Sequence, residues 1–348
     1  MRLEHMGTRK VQRLGPSTLA MTLPAEWVGE HGVEKGDEVS VRTSGKGTLV
    51  VTAESAGSGE TEAVIRADAL DAAAVERAIV GHYVLGRRVI QVERADGALP
   101  SEHINAVYRA EGQLMGLGVV EETPESISIR CSVDPADFRL DNLLERLENT
   151  GSTMRGEAVK ALAHGNPDLA ERALNRERQA NKIFVLLLRL IFTAYRNPAL
   201  ARSVGLEDGF ALIGYRSIAK NLELTADNAE DIAEIALNAD GHTLDLDGPT
   251  MRRIREFTDS VDEITAMAVE AAVERDYDLT IEVRELFREI GDRESDILAD
   301  LPELPNDELL QVREVLVSLQ QTAQYAMRNA EIAANLALDE ESEHTTIR

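Results

Sequence analysis

The chain has 348 residues, of which 43% are hydrophobic but only 4% aromatic, and it contains one cysteine, Cys131. This length fits two or three domains, and a core poor in aromatic residues is typical of helical bundles. A single cysteine excludes an internal disulfide and any CxxC metal site. The most apolar stretch, Ile183–Phe192, is interrupted by Arg189 and is about half of what a bilayer span needs. We therefore expect a cytoplasmic protein without a membrane span.

The charge of the chain is strongly negative and unevenly distributed. There are 62 acidic and 37 basic residues, a net charge of −25, and only six of the basic residues are lysines. Such acidity is typical of salt-adapted, halophilic proteins, because concentrated salt screens the repulsion. Residues 1–53 depart from it, with seven basic and six acidic residues. A local excess of positive charge is one signature of a nucleic-acid contact.

The first 53 residues predict a small β domain. Alternating residues indicate four short strands, and Pro24 begins a short helix that runs through Trp27. The predicted strands are Arg9–Leu14, Ser17–Leu23, Glu38–Arg42 and Thr48–Thr52. So few strands leave edges unpaired and little surface to bury, so we expect residues 1–53 to form a homodimer.

Four ordered motifs in this segment resemble the SpoVT/AbrB swapped-hairpin family. They are Arg9-Lys10-Val11-Gln12, Gly15-Pro16-Ser17, Leu23-Pro24-x-x-Trp27 and Gly32-x-x-x-Gly36-Asp37-x-Val39. The resemblance implies an intertwined dimer in which Arg9, Lys10 and Arg13 face DNA. The alternative is that the domain serves only as a dimerisation platform.

A polar linker at residues 54–61 precedes a small α/β domain, predicted over residues 62–133. Strands are expected at Ala63–Ala67, Val89–Val92 and Ile127–Arg130, and helices at Ala72–Leu85 and Ser101–Met115. The sequence Gly116-Leu117-Gly118 lacks the third glycine and the following helix of a dinucleotide-binding fingerprint. We assign no chemistry to this domain.

From Asp134 onward the pattern is helical and duplicated. Six helices are predicted, at residues 136–164, 167–196, 207–238, 250–275, 278–300 and 306–338. Residues 222–234 and 319–331 are identical at six of thirteen positions, and Ala158-Val159-x-Ala161 recurs as Ala268-Val269-x-Ala271. Short connections favour antiparallel neighbours. The sequence therefore predicts two tandem antiparallel three-helix bundles, at residues 134–240 and 249–338, in a mainly α, multidomain protein.

The tandem bundles, with Leu-Glu-x-x-x-Asp on the third helix, resemble the PhoU family. Residues 175–184 also look like a diverged copy of the second helix of that family. The resemblance implies a regulator of phosphate uptake and phosphate signalling that contacts transporter or sensor proteins. An AbrB-like domain ahead of two PhoU units matches an archaeal arrangement of the family.

The PhoU resemblance also implies carboxylate motifs that can hold metal clusters. The carboxylate pairs at the motif positions are Glu223 with Asp227, and Asp292 with Asp296. Residues four apart share one helix face, but an acidic chain contains many such pairs by chance. Their expected counterparts are Glu177 and Asn181 on the second helix of the first bundle, and Gln320 and Gln324 on the third helix of the second bundle. The amides among them supply oxygen without negative charge. We therefore expect at most weak binding of divalent or iron ions, and the alternative is solvated carboxylates.

No catalytic motif stands out. The Glu-x-x-His spacing of a di-iron bundle occurs only at Glu341 and His344, in a polar tail, and no P-loop or Gly-x-Ser-x-Gly is present. We interpret the protein as a non-enzymatic regulator of phosphate uptake that acts by protein and DNA binding. Two alternatives are an AbrB-type transcription regulator of a non-phosphate regulon and a metal-binding bundle protein without a role on DNA.

Overall fold

A computed structural model of the chain describes residues 8–44, 47–53, 61–206, 209–238, 248–300, 306–339 and 344–346. The chain divides into two units, Met1–Glu60 and Thr61–Arg348, which are described separately. The second unit is mainly helical, as the sequence predicts. Within the described ranges, no helix is long and apolar enough to cross a bilayer.

The described residues of the first unit form two separate hairpins and one short helix. Strand β1 (Gln12–Arg13) pairs antiparallel with β2 (Leu19–Ala20), and β3 (Val39–Ser44) pairs antiparallel with β4 (Thr48–Ala53). Helix α1 is Ala25–Glu30 and begins after Pro24, as predicted. The first two strands are much shorter than predicted. Their outer residues have no neighbouring strand in a single chain with which to extend the ladder.

The second unit begins with a four-stranded sheet in the order β5-β6-β8-β7. Strands β5 and β6 are parallel, and the other pairings are antiparallel. The elements are β5 (Glu62–Arg66), α2 (Ala72–Val84), β6 (Val89–Glu93), α3 (Ser101–Gln113), β7 (Leu117–Glu122) and β8 (Ser126–Cys131). Strand β7 was not predicted. It is an edge strand with an irregularity between Val119 and Glu121, so its residues do not alternate between two faces.

Three long helices form the first bundle, each packed against the other two. They are α4 (Leu140–His164), α5 (Pro167–Arg196) and α7 (Gly209–Asn238), with the short α6 (Pro198–Ala201) before α7. The prediction that the first helix begins at residue 136 was wrong. Pro135–Asp137 form one 3₁₀ turn, and extended residues follow because the Leu140 amide donates to the Val204 carbonyl at 3.0 Å. That bond to the segment before α7 fixes where the helix begins.

The second bundle repeats the arrangement of the first. Its helices are α8 (Gly248–Glu274), α9 (Tyr277–Asp300) and α10 (Asn306–Leu338), again mutually packed. The turns between the first two helices also correspond. Gly165 ends α4 with φ 58°, and Arg275 after α8 has φ 55°, although it carries a side chain. The prediction of two three-helix bundles is confirmed.

The internal repeat is also seen in the burial of side chains at equivalent positions. Thr225 and Thr322, at equivalent positions of α7 and α10, are both buried, and each hydroxyl donates to a carbonyl of its own helix. The surrounding apolar positions match as well, because Leu222, Ala226, Ala229 and Ala233 are buried like Leu319, Ala323, Ala326 and Ala330. The two copies of the motif therefore occupy similar settings, as the duplication requires.

The two bundles meet through equivalent helices, α4 against α8 and α7 against α10. This interface is partly polar. On the α7–α10 side, Asn221 donates to Asn329 at 2.7 Å and Asn228 donates to Thr322 at 3.2 Å. Polar bonds across helices are directional, so they select one alignment of the two bundles.

A buried ion pair joins the bundles on the α4–α8 side. Arg155 is fully buried, and its Nε donates to Asp262 Oδ1 at 2.7 Å. Glu148, one heptad earlier on α4, is also buried, and its Oε1 has no hydrogen-bond partner among the described residues. Equivalent positions of the other copy hold Thr265 and Ser152, so the repeat carries this ion pair once rather than twice.

Hydrogen bonds from two arginines of α5 hold the α/β segment against the first bundle. Arg189 of α5 is buried and donates to the carbonyls of Tyr83 and Arg87 at 2.5 and 3.0 Å, and its guanidinium lies 4.7 Å from the Tyr83 ring centroid. Arg196 donates to the Leu85 carbonyl at 3.1 Å. These two arginines thus cap the carbonyl end of α2. One hydrophobic core continues from the sheet into the first bundle.

Candidate functional site

The predicted DNA-contacting residues lie on the first hairpin. Arg13 is in β1, and Arg9 and Lys10 precede it in an extended segment. All three side chains are exposed, and Arg13 Nη1 donates to the Pro16 carbonyl at 2.9 Å across the turn. Guanidinium and ammonium groups presented in this way suit phosphate oxygens, which position a protein on a duplex without reading its sequence.

The same unit has almost no core of its own. Among the side chains that the structure describes in residues 8–53, only Ala53 is buried. Six large apolar side chains are 46% to 73% exposed, namely Val11, Leu14, Leu19, Met21, Val41 and Leu49. Apolar exposure of this extent in a segment of this size marks an interaction surface.

The carboxylates of the first bundle face one another across α5 and α7. Burial, with the neighbouring Glu223, raises the pKa of Asp227 to about 6, and Lys220 opposes this shift. Burial also raises the pKa of Glu177, to which Glu223 contributes while Arg178 opposes it. The structure thus brings Glu177 to the predicted pair Glu223 and Asp227. Asn181, whose amide was expected beside these carboxylates, is exposed.

The acidic surface extends further along α7 than the motif predicts. Burial raises the pKa of Glu230, and the carboxylates of Glu177 and Glu234 add to the shift. Burial and Glu234 also raise the pKa of Asp231. Two partly buried acids, Glu230 and Asp231, therefore follow Asp227, and neighbouring carboxylates disfavour the charged form of each.

A lysine that the acidic motif does not include lies within this cluster. The Nζ of Lys220 donates to Glu223 Oε2, and it lies 5.5 Å from the centroid of the Phe184 ring on α5. The spacing of Lys220 and Glu223, three residues apart on a helix, was visible in the sequence. A pattern restricted to acidic pairs could not identify it.

The predicted pair of the second bundle has a different environment. Asp292 and Asp296 are exposed on α9, and Asp296 lines a cleft of about 690 Å³ between α8 and α9. Arg253 and Arg293 line the same cleft, so Asp296 has cationic neighbours. Of the amides expected nearby, Gln320 has a buried Oε1 without a hydrogen-bond partner among the described residues.

The described parts of the chain contain no group of three or more His, Cys, Asp or Glu residues placed to hold a metal ion. In the first bundle the nearby donors are carboxylates, of which one already accepts from an ammonium. The binding of metal at Glu223, Asp227, Asp292 or Asp296 stays a prediction.

Comparisons with known proteins identify two regions of the chain. Residues 144–236, within the first bundle, match the PhoU domain, and residues 12–58 match the family described as antidote-toxin recognition MazE, bacterial antitoxin. No curated protein matches the sequence significantly. Among solved structures, the crystal structure of PhoU from Pseudomonas aeruginosa aligns with TM-score 0.48 and 20% identity over 57% of this chain and 94% of that chain. Both resemblances drawn from the sequence are confirmed by the two family matches.

Proposed function

We propose that this chain, which contains a PhoU domain behind a MazE/AbrB-like domain, is a regulator of phosphate uptake and phosphate-responsive transcription. It acts in the cytoplasm by binding DNA and proteins, without catalysis. The observation that carries the proposal is an exposed basic segment, residues 9–13, that precedes a PhoU domain and lies in a unit whose described side chains are buried only at Ala53. The bundles bind phosphate transporter or sensor proteins.

The first unit requires a partner, and a second copy of the chain is the simplest one. The exposed apolar side chains lie on both hairpins, from Val11 and Leu19 to Val41 and Leu49. Interlocking two hairpin pairs would bury these side chains and complete the ladders of β1 and β2 at the same time. The proposed state is therefore a homodimer formed through residues 8–53, which light scattering of the full chain tests directly.

The basic strand suits DNA because it interrupts an otherwise acidic surface. Arg9, Lys10 and Arg13 lie within a short stretch, whereas the whole chain carries a net charge of −25. At molar salt, counterion release contributes little to affinity, so base contacts or DNA shape must supply the specificity. The proposed role of the three residues is to hold the dimer on the phosphate backbone.

The direct test replaces Arg9, Lys10 and Arg13 with glutamine and measures binding of the full chain to DNA at several salt concentrations. We expect weaker binding to every sequence and a salt dependence that is shallower by about 0.9 in slope for each phosphate that is no longer neutralised. Equal affinity and equal slope for parent and variant would contradict a DNA-binding role. That outcome would leave a dimerisation platform.

A matched control separates local charge from total charge. Replacing the exposed residues Lys160, Arg172 and Arg284 of the bundles with glutamine removes the same charge elsewhere. This control is expected to bind DNA like the parent. Similar reductions in affinity for both variants would instead indicate a general electrostatic effect.

The link to phosphate is tested in cells. Deleting the gene is expected to derepress phosphate-uptake genes in phosphate-rich medium, where the parent represses them. Unchanged uptake genes, with other genes altered, would favour an AbrB-type regulator of a different regulon. Unchanged transcription throughout would favour a bundle protein without a role on DNA.

A further inference from the structure

The carboxylate cluster of the first bundle needs a positive charge. Glu177 of α5 and Glu223 and Asp227 of α7 are partly buried and act on one another electrostatically. Like charges that interact in this way repel unless a cation, protons or solvent relieves them. A divalent ion with several carboxylate ligands is the usual solution in proteins, and the PhoU resemblance implies one.

A cation is already present in this cluster as a side chain. Lys220 lies one turn before Glu223 on α7, and its ammonium donates to Glu223 Oε2. The Glu223 side chain is only 18% exposed, and Lys220 is 38% exposed. The Phe184 ring on α5 lies 5.5 Å from the ammonium, a distance typical of a cation–π contact. Groups on two helices therefore hold the ammonium against the carboxylates.

The donor set does not fit a metal as it stands. A divalent ion at this position would need the Glu223 oxygens, and one of them already accepts from the Lys220 ammonium. The ion would also lie beside a fixed positive charge, which repels it. Within the described residues, no group of three or more His, Cys, Asp or Glu is placed to hold a metal ion, so the three carboxylates do not form a complete ligand set.

We propose that the Lys220 ammonium is the built-in counter-ion of this carboxylate cluster and takes the place of a metal ion. Having a lysine in place of a metal ion has a functional consequence, because a covalently attached charge does not dissociate when metals are scarce or chelated. The α5–α7 pairing of this chain is then independent of metal supply. This inference concerns the residues of the first bundle and does not depend on the proposed role in phosphate regulation.

The second bundle shows a related arrangement at its own predicted pair. Arg253 and Arg293 line the cleft that contains Asp296, and Arg293 Nη1 donates to the Ser260 hydroxyl. Basic side chains therefore stand beside the predicted metal-binding carboxylates in both halves of the repeat.

An ordinary surface ion pair is the competing description of Lys220. Exposed pairs three residues apart on a helix contribute little to stability, and removing one partner usually changes nothing else. The two descriptions differ in what happens when the lysine is removed. A surface pair leaves metal affinity unchanged, whereas a counter-ion leaves behind an oxygen cluster that attracts a cation.

The test replaces Lys220 with methionine in the full chain, with Lys160→Met as the control. Lys160 is exposed on α4, so its replacement removes one charge of the same kind from the same bundle. Binding of Mn²⁺ and Zn²⁺ is measured by titration calorimetry and by metal analysis after desalting, in one molar-salt buffer. We expect the Lys220→Met variant to bind one divalent ion at least about tenfold more tightly than the parent, with Lys160→Met unchanged.

Equal affinity of the parent and the Lys220→Met variant for Mn²⁺ and Zn²⁺ would overturn the proposal. If Lys220→Met unfolds, added Mn²⁺ or Zn²⁺ is expected to restore its helical circular dichroism, because the metal resupplies the missing charge. A variant that stays unfolded with metal, in a buffer where Lys160→Met is folded, would also refute the proposal.

Discussion

Replacing Glu148 with glutamine should remove a pH-dependent loss of stability at the interface between the two bundles. The Glu148 side chain is 6% exposed, and burial raises its pKa from 4.5 to about 7, with Arg155 opposing and Asp262 adding to the shift. Because the pKa is higher in the folded state, the folded protein binds more protons between the two values. Stability is therefore fully present below pH 4.5 and is lost as the pH rises through about 7.

The size of the effect follows from the shift. At 1.36 kcal/mol per pKa unit, the shift corresponds to about 3 kcal/mol of unfolding free energy lost on ionisation. In a unit of this size that loss lowers the melting temperature by roughly 5–10 °C. A neutral glutamine does not ionise, so Glu148→Gln should melt higher than the parent at pH 8 and about equally at pH 5.

Thermal unfolding followed by circular dichroism at several pH values, in constant salt, measures this difference. Other partly buried carboxylates titrate as well, so the quantity of interest is the difference between parent and variant at each pH. Glu145→Gln is the control, because Glu145 is exposed on the same helix. Parallel curves for the parent and Glu148→Gln between pH 5 and pH 8 would refute the reasoning.

Three further predictions concern interactions in the second unit. Asp262→Asn removes the carboxylate that is hydrogen-bonded to the fully buried Arg155 and should cost about 3–5 kcal/mol in denaturant unfolding, whereas the double variant with Arg155→Met should lose less than the sum of the single changes. Arg189→Met removes the side-chain donor to the carbonyls of Tyr83, near the end of α2, and Arg87, just after it, and we expect about 2–4 kcal/mol of destabilisation and faster hydrogen exchange there. Arg275 has the positive φ that Gly165 has in the first bundle, so Arg275→Gly should be more stable than Arg275→Ala by about 1 kcal/mol in the same unfolding assay. Equal stability of these two variants would show that the backbone is not strained.

The helical part of the fold was largely predictable from the sequence, because the buried face of a helix produces a local periodicity of apolar residues. A helix that buries one face repeats its apolar residues every three or four positions, wherever its partner lies in the chain. The recurrence of the Thr225 pattern around Thr322 showed the duplication for the same reason. Short turns such as the one at Gly165 then required adjacent helices to run antiparallel.

Part of the candidate site could also be predicted from the sequence. Helix geometry places Glu223 and Asp227 on one face, and the PhoU resemblance selected them among many acidic pairs. The same geometry would have identified Lys220 beside Glu223. The resemblance also named Glu177 of the second helix as the counterpart of Glu223 and Asp227, but how closely it approaches them depends on how α5 and α7 pack, which the sequence could not supply.

The sequence by itself determined the order of the domains, the two bundles and the basic hairpin, since each depends on residues close together in the chain. The tertiary structure alone decided how the bundles meet. Arg155 and Asp262 are 107 residues apart, and nothing local distinguishes Arg155 from an exposed arginine on α4. The start of α4 at Leu140 was decided in the same way, by a bond to Val204. Periodicity specifies which face is buried, but the partner of that face is set by packing across the whole unit.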